Sequence, residues 1–204
     1  MYKSMVRMVL AALVSALMAS PAYAQSAAID SRYALVIGNG SYSELGRLKN
    51  PANDAQDMAA ALKELGFKVD LLVDGDLPRM EDAVIRLGNN LSQSSDSTGF
   101  FFYAGHGVQS GGVNYLIPSD ARIASETFLK TKALAAQSVL DTLQGARNAL
   151  NVVVLDACRD NPFSWSRSGS RGLTVVGSQP TGSIVAYATS AGTGARYRMN
   201  IARI

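Results

Sequence analysis

Three stretches of this chain are apolar almost from end to end and then stop at glycine or at an acid: "RYALVIGNG" (32–40), "GFFFYAGHG" (99–107) and "NVVVLDAC" (151–158). A strand with one wet face alternates polar and apolar residues, whereas a strand covered on both faces reads as an unbroken apolar run. These runs therefore call for a sheet with a layer packed on each side. The segments between them supply such layers. "NPANDAQDMAAALKELG" (50–66) has Asn50 at the N-cap, Pro51 at the first helical position and Gly66 just past the end. Ala55, Met58, Ala59, Leu62 and Leu65 then fall on one helical face.

The rest of the chain continues the alternation. "FKVDLLV" (67–73) reads as a second strand, and Asp76 with Pro78 opens a second helix that buries Met80, Val84, Leu87 and Leu91. "SQSSDST" (92–98) is a polar loop, and "VNYLIP" (113–118) is a short β excursion between Gly111-Gly112 and Pro118. "SVLDTLQGAR" (138–147) starts with a Ser-x-x-Asp pattern that resembles a capping box, and "SIVAYAT" (183–189) is a further strand. Strands alternating with helices predict right-handed crossovers, hence a three-layer α/β/α fold around a mainly parallel sheet. Ligands of such sheets gather beyond the carboxyl ends of the strands. The segments "GHG" and "DACRD" both stand at that end, so they converge on one edge.

Those two segments hold the only histidine, His106, and the only cysteine, Cys158, separated by 52 positions. Small neighbours on both sides of His106 leave its ring accessible. A thiolate is a nucleophile, and a nearby imidazole can accept its proton and return it to a leaving amine. Taken alone, a single cysteine at a strand end is more often a small buried hydrophobe than a nucleophile. One Cys and one His cannot supply the ligand set of a structural zinc. "IGNGSYSELG" lacks the third glycine of a dinucleotide fingerprint and its helix starts too late, so it reads as a turn.

Composition narrows the class. Residues 1–24 carry a short cationic start, a short apolar stretch and a small-x-small ending in "PAYA", the order of a secretory signal peptide cleaved after Ala24. The apolar stretch is too short for a permanent span, so no stable membrane anchor is expected. The mature chain, residues 25–204, forms one domain with an exported, periplasmic or secreted destination. Losing Lys3 and Arg7 leaves 17 Lys+Arg against 16 Asp+Glu, with no basic stripe, which excludes a nucleic-acid binder by charge. A single cysteine in an exported chain cannot form an internal disulfide and marks a thiol of interest.

"FFYAGHGVQ" and "VVVLDACRDNPF" resemble the two signature segments of the caspase-like cysteine peptidases, above all the bacterial metacaspase-like branch. "YALVIGNGSY", "LKNPANDAQDMAAALKELGF" and "GSIVAYATSAGTGA" resemble that family's first strand, first helix and fifth strand, in the family's order, so the resemblance runs from about Arg32 to Ala195. It implies Cys158 as nucleophile and His106 as acid/base, a dyad, with the backbone N–H groups of Gly107 and Cys158 as the oxyanion hole. It also implies Asp54 and Asp156 as the acidic pocket for an Arg or Lys side chain preceding the cleaved bond. The physical need is a fixed counter-charge for a cation in a narrow pocket, which two carboxylates meet through charge-assisted hydrogen bonds. The partner is a peptide or protein substrate with a basic P1 residue. No cofactor is expected. Scattered acidic residues do not specify a calcium site and leave calcium dependence open.

Two segments stand apart from the resemblance. "SWSRSGSRG" (164–172) reads as a flexible solvated connection, with substrate binding or self-processing as the functional alternative. After Ala195 the family continues into a further helix and strand, whereas this chain offers only "RYRMNIARI" (196–204). The expectation is a fold lacking its last helix and strand, with "SIVAYAT" as an open, aggregation-prone edge. The alternative function is a non-catalytic pseudo-peptidase or interaction module of the same fold.

Overall fold

The computed structural model describes residues 31–158, 162, 163, 165, 173, 182–188 and 198–201. The signal segment lies outside the described residues, as does the serine- and arginine-rich loop apart from Trp165. Strand β1 (Arg32–Gly38) pairs in parallel with β2 (Lys68–Val73) and with β3 (Thr98–Ser110). Strand β6 (Leu150–Cys158) lies parallel to β3 on its other side, and β7 (Ser183–Ala188) lies parallel to β6. The order across the sheet is β2-β1-β3-β6-β7-β8, the last being Arg198–Ile201.

The unbroken apolar runs have the predicted cause. Alternate residues of one strand enter opposite layers. Leu35, Ile37, Phe101, Tyr103, Val153 and Leu155 share a core with helices α2 (Leu77–Leu91) and α4 (Ala136–Gly145). Ala34, Val36, Phe102 and Ala104 pack instead with α1 (Pro51–Glu64). Pro51 begins α1, and Gly66 follows its end with φ +83, the left-handed turn that glycine adopts freely. Asp76 caps α2 by accepting the Arg79 N–H at 2.9 Å.

Three expectations are corrected. Leu65 is 61% exposed, because it sits at the C-terminal cap of α1, where the chain turns out of the helix. Ser138 caps nothing: α4 already begins at Ala136, and Ser138 lies inside it, its carbonyl accepting from the Thr142 hydroxyl at 2.8 Å. The third concerns the sheet edge. The strand expected to be missing is present as β8 (Arg198–Ile201), antiparallel to β7, with Ile184 opposite Ile201 and Tyr187 opposite Arg198. Four residues suffice for a strand of this kind, and the spacing of Tyr197, Met199 and Ile201 already has its period of two. β7 is therefore not the open edge.

At the carboxyl end of the sheet β3 runs on past its neighbours. It turns at Gly111 and Gly112 (φ +55 and +83) and returns as the antiparallel β4 (Val113–Leu116). β4 in turn pairs with β5 (Leu134–Ala135), which follows the single-turn helix α3 (Leu129–Lys132). This ribbon encloses a second, smaller core of Val108, Tyr115, Ile117, Ile123, Leu129 and Phe163, to which Tyr42 is added from the loop after β1. That small core frames the site.

Candidate active site

β3 and β6 are central, adjacent and in register, so their carboxyl ends bring two polar residues side by side. His106 and Cys158 are direct register partners, as are Ala104 and Asp156. The strands thus juxtapose the backbones of the two residues that the sequence singled out. Glycine on each side of His106 is demanded by space. A Cβ on Gly105 would lie 2.6 Å from the hydroxyls of both Tyr42 and Tyr103, and one on Gly107 would lie 2.7 Å from the Ala157 methyl.

The imidazole of His106 is held closely. Its ring, expected from its small neighbours to be accessible, is instead buried, because Tyr42 and the loop after β1 pack on it, and Nε2 lies 2.8 Å from the carbonyl oxygen of Gly46. A carbonyl can only accept, so Nε2 carries the proton and a neutral ring keeps its lone pair on Nδ1. Nδ1 is buried with no hydrogen-bond partner among the described residues. Tyr42 stacks obliquely on the ring, with centroids 4.6 Å apart, while its hydroxyl accepts the His106 N–H at 2.8 Å. The His106 carbonyl accepts from the Tyr103 hydroxyl at 2.7 Å and the Ile117 amide at 3.0 Å. Burial lowers the pKa of His106, against a smaller opposite pull from the Gly46 carbonyl.

Gly46 belongs to the loop that follows β1, and that loop is fastened at its neck. The Leu48 N–H donates to the Gly40 carbonyl at 3.0 Å, which closes the loop on itself. The amides of Gly40 and Ser41 both donate to one carboxylate oxygen of Asp74, at 2.8 and 2.9 Å. Fully buried Asn39 bridges to the neighbouring turn, accepting the Gly75 N–H at 2.9 Å and donating to the Ile117 carbonyl at 3.1 Å. Partial burial would raise the pKa of Asp74. The hydrogen bonds from Ser41 and Gly40, helped by the charge of Arg47, reverse this and hold it below the ordinary carboxylate value. Tyr42, Gly46, Asn39 and Asp74 were not singled out from the sequence. Asp74 and Asn39 flank strand ends, and Gly46 acts through its main chain, which no residue type signals.

The two aspartates named from the resemblance also meet. Exposed Asp54, in the first turn of α1, and half-buried Asp156, on β6, line one cavity of about 200 Å³. Leu48, Pro51 and Gly105 complete its walls. Burial raises the pKa of Asp156, and the like charge of Asp54 raises it further. Among the described residues, Lys49 is the one cation in its walls. The arrangement is a small acidic cavity beside the His106–Cys158 pair.

A caspase-domain family profile matches residues 31–197 of this chain. The chain is 34% identical over 128 residues to the human mucosa-associated lymphoid tissue lymphoma translocation protein 1. That alignment covers 63% of this chain and 15% of the human protein. It is 31% identical over 98 residues to a probable protease from a Desulfuromonadales bacterium, covering 45% of this chain and 12% of that protein. The chain thus spans a small part of the curated relatives it matches. Among solved structures, the Drosophila initiator caspase Dronc superposes with a TM-score of 0.52 at 13% identity, over 77% of this chain and 54% of that one, a likeness of fold. Profile, relatives and architecture agree, and the chain belongs to the caspase-domain family.

Proposed function

We propose that this protein is a cysteine endopeptidase that cleaves peptide bonds after arginine or lysine, with Cys158 as nucleophile and His106 as its base. The observation that carries the reading is the register of His106 and Cys158 on adjacent strands, beside a cavity lined by two carboxylates. With Nε2–H engaged by Gly46, Nδ1 is the atom that takes the thiol proton. The thiolate then attacks the scissile carbonyl carbon, and the resulting oxyanion is stabilised by the main-chain N–H groups of Gly107 and Cys158. Collapse breaks the C–N bond, the amine leaves with the proton from His106, and water hydrolyses the acyl-enzyme by the reverse sequence. The lowered pKa of His106 keeps the base neutral at physiological pH, which this sequence of steps needs. Export follows from the leader at 1–24, and N-terminal sequencing of the mature protein should begin at Gln25.

The test uses fluorogenic peptides that differ only at P1, together with a peptide acyloxymethyl ketone bearing a basic P1 residue. Arg and Lys substrates should dominate over Asp, and the ketone should label Cys158. Cys158→Ala should abolish both while leaving the circular dichroism spectrum intact, with a rate loss on the order of 10³-fold or more. Well-folded protein that neither turns over any P1 variant nor takes the label would point to the interaction-module reading instead.

A further inference from the structure

The loop after β1 restrains His106 from two directions. Gly46 holds the edge of the imidazole through Nε2, and Tyr42 lies against the ring with centroids 4.6 Å apart and planes at 52°. The two restraints act differently. Rotation about the Cβ–Cγ bond of a histidine is soft, and Nε2 lies nearer the axis of that rotation than Nδ1 does. A hydrogen bond at Nε2 therefore tolerates a rocking motion that swings Nδ1. A second ring packed against the imidazole blocks it.

Tyr42 is itself well held. It is buried in the small core with Val108, Tyr115 and Ile117, and the Ser43 N–H beside it donates to the Ser119 carbonyl at 3.1 Å. Its hydroxyl accepts the His106 N–H at 2.8 Å and stands 3.4 Å from both the Tyr103 hydroxyl and the Ile117 carbonyl. One side chain thus touches both the main chain and the ring of His106. The ring contact also gains strength when the imidazole is charged. An aromatic ring within about 6 Å attracts a cation through the negative charge on its face, whereas a neutral imidazole gains less. We propose that Tyr42 is a positioning residue: its hydroxyl fixes the main chain of His106, and its ring holds the imidazole plane and stabilises the imidazolium formed when Nδ1 takes the thiol proton. A contact that is stronger in the charged form lowers the barrier to forming it. The inference rests on the peptidase reading above and adds to it a residue outside the Cys–His pair.

The test separates the hydroxyl from the ring. Tyr42→Leu removes both, and Tyr42→Phe removes the hydroxyl alone. Tyr42→Leu should lower kcat on an Arg peptide about tenfold while KM stays within about twofold. It should also move the midpoint of the His106 Cε1–H titration, followed by proton NMR, below the wild-type value, because a ring that attracts the cation is gone. Tyr42→Phe should keep the wild-type midpoint and most of the rate. The other titratable groups on the elements about the imidazole are unchanged in both variants, so the difference reports the Tyr42 ring. They are Glu44, Arg47 and Lys49 on the loop, Asp54 on α1, Asp74 at the loop's neck, Tyr103 on β3, Tyr115 on β4, and Asp156 and Cys158 on β6. Should Tyr42→Leu not fold, a ring-fluorinated phenylalanine at position 42 keeps the shape while weakening the negative face, and it should lower kcat and midpoint together relative to Tyr42→Phe. A loss confined to KM, an unmoved midpoint on removing the ring, or equal impairment in Tyr42→Phe and Tyr42→Leu would overturn this proposal and leave the peptidase reading standing. Wild-type protein that cuts no Arg peptide and takes no label at Cys158 would remove that reading, and the proposal with it.

Discussion

The two halves of the site are built on opposite electrostatic terms. Around His106 almost every polar group has a partner: Gly46 on the ring, Tyr42 and Tyr103 on its main chain, and Asp74 and Asn39 on the loop behind them. Around Asp156 the opposite holds, because a half-buried carboxylate faces a second one across a cavity. The first half is finished without a substrate. The second carries an unfavourable repulsion that a bound cation would relieve. On the proposed reading, the fold holds the histidine in place permanently and leaves the acidic cavity to be completed by a bound cation.

The comparison breaks most severely if its central member is removed. His106→Ala should lower kcat on Arg substrates by on the order of 10³-fold with little change in KM, read by steady-state kinetics. A loss confined to KM would mean that the ring positions substrate and does not move protons. Next in size is the acidic half. Asp156→Asn should reduce kcat/KM for Arg peptides by on the order of 100-fold, the cost of removing one partner of a buried charge pair. Cys158 should meanwhile keep its reactivity toward iodoacetamide.

The same variant has a stability signature. The folded pKa of Asp156 is raised, so the native state holds its proton more tightly than the unfolded chain does. The stability linked to that proton is present below the unfolded value near 3.8 and is lost as pH rises through the folded pKa. At neutral pH Asp156→Asn should therefore melt higher than the wild type, and the gap should close toward pH 3 or so. A variant that melts lower at neutral pH would show that the carboxylate anchors the fold.

Smaller effects sharpen the finished half. Asp74→Ala removes the acceptor for two loop amides and should cost about 1–3 kcal/mol of stability. Turnover should fall by roughly tenfold through a looser Gly46 carbonyl. Asp74→Asn, which keeps one acceptor oxygen, should recover much of both. Because the Asp74 pKa is lowered by its amide partners, its contribution is present above the unfolded value of 3.8 and disappears as pH falls through the folded one. Finally, the single histidine gives a single imidazole Cε1–H resonance, whose titration should report a pKa below 6.5. A midpoint above 6.5 would contradict a buried neutral ring.

Much of this was legible in the sequence for a definite reason. Runs such as "VVVLD" can only be strands covered on both faces, and the helix punctuation at Asn50-Pro51 and Asp76 gave the layers between them. His106, Cys158, Asp54 and Asp156 are side chains with recognisable chemistry, so the sequence and its family resemblance point to them. What escaped was short or made of main chain. β5, with two residues, and α3, with four, are too brief for a periodic pattern to register. β8 is hard to read because so few residues follow Ala195, although their alternation suits a strand. The Ser138 pattern misled because tertiary packing of Ala136 and Val139 started α4 a turn earlier than the local signal.

The Gly46 carbonyl has a consequence for how such a site can vary. A Cβ at position 46 would meet nothing within 4 Å among the described residues, so the letter there is nearly free, because the group that orients the histidine belongs to every amino acid alike. What is not free is the count of residues between Gly40 and Leu48, which close the loop on each other. One residue inserted or deleted in that interval would turn the carbonyl away from the imidazole, where dozens of substitutions would leave it facing inward. The information that aims this side chain is stored as a length, and a reader who compares sequences letter by letter will pass over it.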